Sequence, residues 1–454
     1  MRTKNAENLH LGPRNRDTVI IHHEAIRQRV KSRYCSADIS DLRAFLSLHG
    51  TLNFTPLPSG LYPAASLDQA TSAQTGYGNV WVRDNVYVAL AHEVAGMREV
   101  ACTTIKALAA FFSKCRSRFE DIIDGRADPT IPMNRPQVRF DGLNLREIST
   151  SWSHAQNDAL GYFLWMYCRL AHNGCLVPDS ELLALLTLYF EAIQYWDDED
   201  SGHWEERRKI EASSIGCVVA GMCELRKLLE KGILSTYQFR NMAVTLDDLE
   251  RLIEKGRQAL DTILPAECIQ KDPKKYRRYD SALLFLVYPL DVVDDIMGQR
   301  IVNDVVENLL GEYGIRRYLG DSYWTADYKN KVPREKLTAD VSEHQEERDA
   351  LSQPGEEAQW CIFDPIISII AGHRYQQAGD PADLEKQVHH LNRSLGQITS
   401  LDCPQGGLRC PEAYYLENGR YVPNEHVPLL WTQANLLLAL TAMEKSAAKS
   451  LKSS

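Results

Sequence analysis

Runs of apolar residues at helical spacing, separated by polar loops, make up most of this chain. They predict about a dozen helices. No series of alternating apolar and polar residues indicates strands, so we expect an all-α protein. Residues 49–80 and 119–151 lack the helical spacing and are expected to be loops. The predicted helices span residues 17–34, 40–48, 86–94, 97–115, 159–170, 179–195, 211–229, 246–264, 282–288, 291–310, 359–372, 381–395 and 427–447.

One kind of junction recurs, in which an irregular loop rich in aromatic and charged residues leads directly into an apolar helix. If the helices surround a common axis, such loops meet at one end of the ring. We therefore predict an α/α-barrel in a single domain, residues 17–447, with a flexible N-terminus at 1–16 and a flexible tail at 448–454. Residues 325–357 are highly charged and are interpreted as an inserted exposed loop or lid. The junctions lie near residues 81–85, 152–158, 204–206, 276–280, 317–321, 360 and 412.

Residues 195–206 form the most unusual of these junctions, because carboxylates lie there among two tryptophans and a glycine. A solvated acidic loop would not need tryptophans, and a buried turn would not need acids. Sugar sites combine the two, since a sugar ring stacks on an aromatic face while its hydroxyls hydrogen-bond to carboxylates. Burial beside tryptophan also raises a carboxyl pKa, which keeps a proton available at neutral pH. The alternative interpretation is a charged turn between two helices with both tryptophans in the core.

Composition and net charge limit the kinds of molecule that this protein could bind. The net charge of −10 argues against nucleic acid or an anionic membrane, because both call for basic surface. Neither a secretory signal nor a run of about 18 apolar residues occurs, so we expect a cytoplasmic location. Most of the 11 cysteines lie in apolar surroundings typical of reduced core residues. Cys403 and Cys410 could form a disulfide or bind zinc, but no metal motif is complete and no glycine-rich phosphate motif occurs, so no metal, nucleotide or other cofactor is predicted.

Several junctions resemble motifs of glycoside hydrolase family 15, the glucoamylase-like proteins, and especially the glucoamylase-like domain of the phosphorylase kinase α and β regulatory subunits. The matching segments follow one another in the family order from about residue 80 to about residue 440. They include residues 81–87 (WVRDNVY), 152–159 (WSHAQNDA), 204–206 (WEE), 278–286 (RYDSALLFL), 411–415 (PEAYY) and 430–433 (LWTQ). The resemblance implies that the predicted barrel is an (α/α)6 barrel.

The resemblance also implies roles for individual residues. Glu205 corresponds to the general acid of glucoamylases and Glu412 to the general base. Arg83 and Asp84 correspond to the pair that holds the hydroxyls of the terminal glucose, and Arg317 to a contact with the neighbouring sugar. The residues expected to bind substrate, among which Trp152 and Trp360 are aromatic walls, are Arg83, Asp84, Trp152, Asp158, Trp204, Glu206, Arg317 and Trp360.

The implied reaction is inverting hydrolysis at the non-reducing end of an α-glucan or oligosaccharide. One carboxylic acid protonates the leaving oxygen while an ionised carboxylate activates water on the opposite face, and the two carboxyl groups stand roughly 6.5–9.5 Å apart. Arg83 is expected to favour ionisation of Asp84. Arg207 and Arg208 would lower the pKa of Glu205 if they pointed inward.

A second hypothesis is a non-catalytic protein that senses oligosaccharides and regulates a protein partner, as the kinase subunits do. Glucoamylases usually follow the base with Gln, whereas Ala413 occupies that position here, as in the kinase subunits. The insertion at 325–357 could also cover the site. The purely structural alternatives are that Arg83 and Asp84 form a buried ion pair at a helix start and that Trp152 and Trp360 are ordinary core residues, which the apolar neighbours of Trp360 favour more for that residue.

Overall fold

A computed structural model describes residues 9–10, 18–65, 75–235 and 237–452 of the chain. Helices dominate these ranges. The sixteen described α-helices are α1 (Glu24–Arg27), α2 (Ser36–Leu48), α3 (Val82–Val94), α4 (Arg98–Lys114), α5 (Ser117–Ile123), α6 (Asn157–His172), α7 (Ser180–Ala192), α8 (Ala212–Glu230), α9 (Leu246–Ile263), α10 (Leu284–Val287), α11 (Asp295–Asn308), α12 (Tyr328–Lys331), α13 (Gln345–Asp349), α14 (Phe363–Ala378), α15 (Pro381–Gly396) and α16 (Leu430–Lys452).

Twelve of these helices build an (α/α)6 barrel, which confirms the predicted fold class. The inner ring consists of α3, α6, α8, α10, α14 and α16. Each inner helix packs against the next one, and α16 closes the ring on α3. The outer helices α2, α4, α7, α9, α11 and α15 alternate with the inner ones along the chain.

The two rings differ in their pattern of burial. Inner helices are enclosed by neighbours, and in α3 every residue from 82 to 93 is buried. Among the outer helices, α9 buries one side only, since Leu249, Leu252, Ile253 and Leu260 share one face at helical spacing. The outer helix α7 differs, because its residues 182–187 are all buried. One-sided apolar spacing in the sequence therefore marks some of the outer helices and not all of them.

Two glycines allow the backbones of α6 and α8 to approach each other closely. A Cβ atom on Gly161 would lie 2.6 Å from the carbonyl carbon of Cys217. A Cβ atom on Gly221 would lie 2.9 Å from the carbonyl oxygen of Gly161. Side chains at these positions would push the two inner helices apart and distort the ring.

Most inner helices point their N-termini at the same end of the barrel. The first turns of α3 and α16, and the loops that lead into α6, α8 and α14, contribute residues to one cavity at that end. Asp84, Asp158 and Asp364 lie in the first turns of α3, α6 and α14. Because a helix N-terminus carries a partial positive charge, this end of the barrel favours carboxylates.

The structure also contains short strands that the sequence pattern does not predict, and some of them join the loops at the cavity end. The nine described strands are β1 (Leu9–His10), β2 (Thr18–Val19), β3 (Val80–Trp81), β4 (Arg139–Phe140), β5 (Gln238–Phe239), β6 (Met242–Ala243), β7 (Gln359–Trp360), β8 (Ala413–Glu417) and β9 (Arg420–Pro423). Antiparallel pairing joins β3 to β4, and β8 to both β7 and β9. Most of these strands have only two residues, which are too few to show an alternation of apolar and polar positions in the sequence. The β8–β9 hairpin does carry a signal, since Asn418 and Gly419 at its turn both have positive φ, 50° and 76°.

The helix predicted for residues 17–34 is wrong in its described part. Only Glu24–Arg27 is helical there. The preceding segment is held against the barrel instead, since the His22 amide donates to the Gly396 carbonyl at 3.1 Å. The His23 side chain accepts from the amide of Ala25 at 3.1 Å and starts the short helix. Contacts to the barrel thus decide a conformation that local spacing misassigns.

Most of the predicted flexible N-terminus, residues 1–16, lies outside the described residues. Of 1–16, the structure describes Leu9–His10, which pairs with Thr18–Val19. At the other end, α16 continues to Lys452, into the predicted tail. None of the helices in the described ranges is long and apolar enough to cross a membrane.

The cysteines do not form the bridge considered for Cys403 and Cys410. All eleven thiols are free, and that of Cys403 donates to the Gln405 side chain at 3.2 Å. Among the described residues, no group of three His, Cys, Asp or Glu side chains is arranged to hold a metal ion.

Candidate active site

A cavity at the N-terminal end of the inner helices brings together eight of the ten predicted site residues. Its free volume is about 100 Å³, which is small beside the roughly 300–1,000 Å³ of drug-sized sites. A wider groove of about 540 Å³ shares Trp152 and residues 338–340 with it, so the two spaces adjoin. The predicted residues that line the cavity are Arg83, Asp84, Trp152, Trp204, Glu205, Arg317, Trp360 and Glu412.

The other two predicted residues, Asp158 and Glu206, lie behind the cavity wall and hold arginines. Asp158 is fully buried and accepts a hydrogen bond from Arg83 at 2.6 Å. Glu206 accepts from Arg317 at 2.9 Å and from Arg348 at 3.2 Å. Burial raises the pKa of Glu206, but the surrounding guanidinium groups outweigh it and bring the pKa to about 2. Both carboxylates therefore position cationic side chains that reach the cavity.

Glu205 enters the cavity from a loop with an unusual backbone. Its φ is +59°, and the loop is closed by paired main-chain hydrogen bonds of 3.0 and 2.9 Å between Asp200 and Lys209. The Trp81 indole donates to Glu205 Oε1 at 2.7 Å, and Arg83 donates to the same oxygen at 3.4 Å. Left-handed backbone at a non-glycine residue is costly, but it does not by itself mark Glu205 as functional, because eight other non-glycine residues of the described chain also have positive φ.

The pKa of Glu205 lies above its usual value. Burial is the main cause, and the charges of Arg83 and Arg139 together with the hydrogen bond from Trp81 oppose it without cancelling it. Arg207 and Arg208 do not lower the pKa of Glu205, because they turn away. Arg207 pairs with Glu346 of the insertion, and Arg208 donates to the carbonyl of Thr130.

Glu412 enters the cavity at the start of β8 and is surrounded by donors. Tyr77 donates to Oε1 at 2.7 Å, and His426 Nδ1 lies 2.7 Å from Oε2, which also accepts from Asn424. Burial raises the pKa of Glu412, but His426 and the hydrogen bonds from Tyr77 and Asn424 outweigh it, and the pKa is lowered overall. The two carboxyl groups of the cavity, those of Glu205 and Glu412, thus have pKa values moved in opposite directions.

Asp84 does not pair with Arg83, contrary to the expectation that Arg83 keeps it ionised. Arg83 turns instead to Asp158 and Glu205. Burial raises the pKa of Asp84 to about 7, with Arg83 lowering it and the charge of Glu205 raising it further. The ion-pair alternative is therefore wrong, since no salt bridge of the described residues joins Arg83 to Asp84.

Tryptophans and arginines form the walls around the carboxyl groups. Trp152 stands edge-on to Trp81, with 6.0 Å between ring centroids, and the Arg139 guanidinium covers it at 3.8 Å. On the facing wall, Arg317 lies 4.9 Å from the centroid of Trp360. Trp360 belongs to the hydrophobic core and also lines the cavity, so its position agrees with the core interpretation and leaves its predicted contact with sugar a prediction.

The insertion at 325–357 lies against the cavity, which agrees with the lid of the two interpretations and not with the exposed loop. Its residues 338–341 and Arg348 line the cavity. Arg348 is anchored on Glu206, and Gln345 accepts from the amide of Arg207 at 2.9 Å. These buried polar contacts tie the insertion to the acidic loop and make it part of the site.

Four residues that touch the predicted catalytic carboxylates were not predicted as site residues: Trp81, which contacts Glu205, and Tyr77, Asn424 and His426, which contact Glu412. Tyr77 lies at the end of the segment expected to be a loop, and Asn424 and His426 follow β9. The Asn418–Gly419 turn is the signal that could have found the last two, because a hairpin about that turn returns the chain to Glu412.

A closed ring of six helical hairpins with acidic loops at the N-terminal end of its inner helices defines the glucoamylase-like class of proteins. The model of the family described as "Glycosyl hydrolases family 15" matches residues 46–353. The chain belongs to this family.

Similar chains include regulatory proteins. The chain is 26% identical over 397 residues to the probable phosphorylase b kinase regulatory subunit alpha of Caenorhabditis elegans, an alignment of 79% of this chain and 30% of that protein. It is 24% identical over 429 residues to the corresponding Drosophila melanogaster protein, covering 85% of this chain and 31% of the relative. The chain thus spans about a third of the length of these relatives.

Solved structures share the fold at low identity. A glycosidase structure matches with a TM-score of 0.65 at 18% identity, covering 90% of this chain and 99% of that one. A bacterial glucoamylase complexed with acarbose matches with a TM-score of 0.55 at 15% identity, covering 86% and 53%. The glucoamylase of Saccharomycopsis fibuligera gives a TM-score of 0.53 at 13% identity, covering 92% and 99%.

Proposed function

We propose that this protein is an inverting glycosidase that releases glucose from the non-reducing ends of α-glucans or α-glucosides. Glu205 is the general acid and Glu412 the general base. The observation that carries the proposal is that two buried carboxyl groups of one cavity have pKa values moved in opposite directions, upward for Glu205 and downward for Glu412. An acid must hold its proton and a base must be free of one at the same pH, so this is the difference that the reaction needs.

The shape of the site suits the end of a chain. The terminal ring occupies the small cavity, where Asp84 meets its hydroxyls and Trp152 and Trp360 flank it, and Arg317 reaches the neighbouring sugar. The rest of the oligosaccharide leaves through the adjoining groove along residues 338–340. Such a closed end favours removal of one sugar at a time over cleavage within a chain.

Activity on maltose and maltooligosaccharides tests the proposal, with the anomer of the released glucose followed by proton NMR. We expect β-glucose as the first product. Glu205→Gln should lower kcat at least ~100-fold, since general acid catalysis contributes about that much or more, while oligosaccharide binding is retained. Asp197→Asn removes an exposed carboxylate of the same acidic stretch and should leave activity unchanged. α-Glucose as the first product, or equal activity in both variants, would contradict the proposal.

A second candidate function is oligosaccharide sensing without hydrolysis, coupled to a protein partner. Two observations favour it: the insertion covers the cavity, and the relatives named above are regulatory subunits. Saturating maltooligosaccharide should then raise the free energy of unfolding by about 2.7 kcal/mol at 100 times its Kd, with no glucose released by the wild-type protein. Glucose release at a rate abolished by Glu205→Gln would rule this candidate out.

A further inference from the structure

The hairpin of β8 and β9 places His426 beside Glu412. The Asn424 amide donates to the carbonyl of Ala413 at 3.0 Å, and the Glu412 amide donates to the carbonyl of His426 at 3.2 Å. These main-chain bonds extend the β8–β9 pairing beyond its last strand residues. The imidazole is 1% exposed, and it contacts Glu412 from outside the cavity lining.

The hydrogen bonds around Glu412 assign a different task to each of its oxygens. Oε2 accepts from both Asn424 and His426 Nδ1, which occupies its two lone pairs. An ionised carboxylate only accepts, so Nδ1 of His426 carries the hydrogen. Oε1 accepts from Tyr77 alone among the described residues, which leaves one lone pair for a water molecule in the cavity.

The imidazole ring itself is held between aromatic rings. Tyr77 stacks on His426 with 3.7 Å between centroids and 10° between planes. Trp324 stands edge-on to the opposite side at 5.7 Å. The second ring nitrogen, Nε2, is buried and has no hydrogen-bond partner in the described part of the chain. An unpaired buried atom calls for an explanation, and a role of the other ring nitrogen, Nδ1, at Glu412 supplies one.

We propose that His426 is a positioning residue for the general base: it donates to Oε2 of Glu412, keeps this carboxyl group ionised and directs Oε1 at the water in the cavity. The inference rests on the proposed hydrolase function, in which Glu412 is the base. The titratable groups that face Glu412 are His426, Tyr77, Tyr323, Asp84 and Cys361. Of these, the imidazole of His426 is the one that can both donate to Glu412 and carry a positive charge.

Two substitutions separate the donor from the ring. His426→Phe keeps an aromatic ring against Tyr77 and removes the donor, whereas His426→Gln keeps a donor and removes the ring. A lost hydrogen bond to an ionised group should raise the pKa of the base, so the acidic limb of the pH profile of kcat/KM should move up by about one to two pH units in His426→Phe. KM should change little, because His426 does not line the cavity, while kcat falls at least ~10-fold. His426→Gln should restore most of both the limb and kcat.

A measurement without turnover keeps this inference separate from the hydrolase proposal. With ¹⁵N-labelled histidine, NMR of the wild-type protein should show the His426 hydrogen on Nδ1 at pH 7. With ¹³C-labelled glutamate, the titration midpoint of Glu412 should move up in His426→Phe, whether or not the protein hydrolyses glucosides. A hydrogen on Nε2 alone, or a midpoint and an acidic limb unmoved by His426→Phe, would overturn the role of His426. If the wild-type protein released no glucose but showed the expected tautomer and the expected midpoint shift, the result would count against hydrolysis and not against the role of His426.

Discussion

Replacing Asp84 with Asn should stabilise the protein at high pH and not at low pH. In the folded protein the pKa of Asp84 is about 7, against an ordinary value of 3.8. At about 1.4 kcal/mol for each tenfold change, the buried ionised carboxylate costs about 4 kcal/mol of folding free energy. Asn has nearly the same shape and no charge, so it removes this cost.

The sign of this pH dependence of stability follows from the protonation equilibria of Asp84 in the folded and in the unfolded chain. Below about pH 4 the carboxyl is protonated in both folded and unfolded chains, and its pKa makes no difference to stability. Between about pH 4 and pH 7 the unfolded chain loses its proton while the folded one keeps it, so stability falls as the pH rises. Above about pH 7 the full cost is present. The advantage of Asp84→Asn should therefore grow from near zero at pH 4 to about 4 kcal/mol at pH 8.

Urea unfolding followed by tryptophan fluorescence at pH 4, 6 and 8 measures this difference. Asp261→Asn, which removes a charge from the exposed side of α9, is the control and should show no such growth with pH. A stability difference for Asp84→Asn that is the same at pH 4 and pH 8 would refute the reasoning. A less stable Asn variant at pH 8 would refute it more strongly, because it would mean that ionised Asp84 is paired in the folded protein.

Two further substitutions test other parts of the structure. Glu206→Gln should destabilise the protein by about 3 kcal/mol at pH 7, since the pKa of Glu206 is about 2 in the folded protein, against 4.5 ordinarily; the loss should shrink as the pH falls from 4.5 towards 2 in denaturation experiments. Gly161→Ala should cost about 1–3 kcal/mol of unfolding free energy at any pH, because its Cβ would meet the backbone of α8; an unchanged urea midpoint would contradict this close contact.

Most helices of the barrel could be predicted from sequence because they are long enough to show their burial, the four-residue inner helix Leu284–Val287 being the exception in length. The outer helix Leu246–Ile263 shows the one-sided spacing, and the inner helix Asn157–His172 shows a nearly continuous apolar run. Residues 17–34 had suitable apolar spacing as well. Their backbone partner, the Gly396 carbonyl, lies far along the chain, so local spacing could not reveal it.

The candidate site, like the fold, could be predicted from the sequence only in part. Glu205 and Glu412 could be placed from their motifs, but their environments depend on residues distant in sequence. Tyr77 reaches Glu412 across 335 positions, and Trp81 reaches Glu205 across 124. Asp84 shows the limit most clearly: its neighbour in sequence, Arg83, suggested an ionised carboxylate, whereas burial dominates in the fold. The direction of a side chain at the start of a helix cannot be predicted from the identity of its neighbour in the sequence.

The energetic cost of the site bears on the choice between hydrolysis and sensing. A sugar-binding site needs acceptors for hydroxyls, which ionised carboxylates supply, and Glu206 behind the cavity wall shows that arginines can keep a buried carboxylate ionised here. Glu205 is held differently, in a left-handed backbone conformation and with a raised pKa, both of which reduce stability at neutral pH. A raised pKa alone does not separate the two functions, because Asp84, a predicted binding residue, shares it with Glu205. A general acid needs a partner that is free of its proton, so the raised pKa of Glu205 in the same cavity as the lowered pKa of Glu412 is what favours the hydrolase.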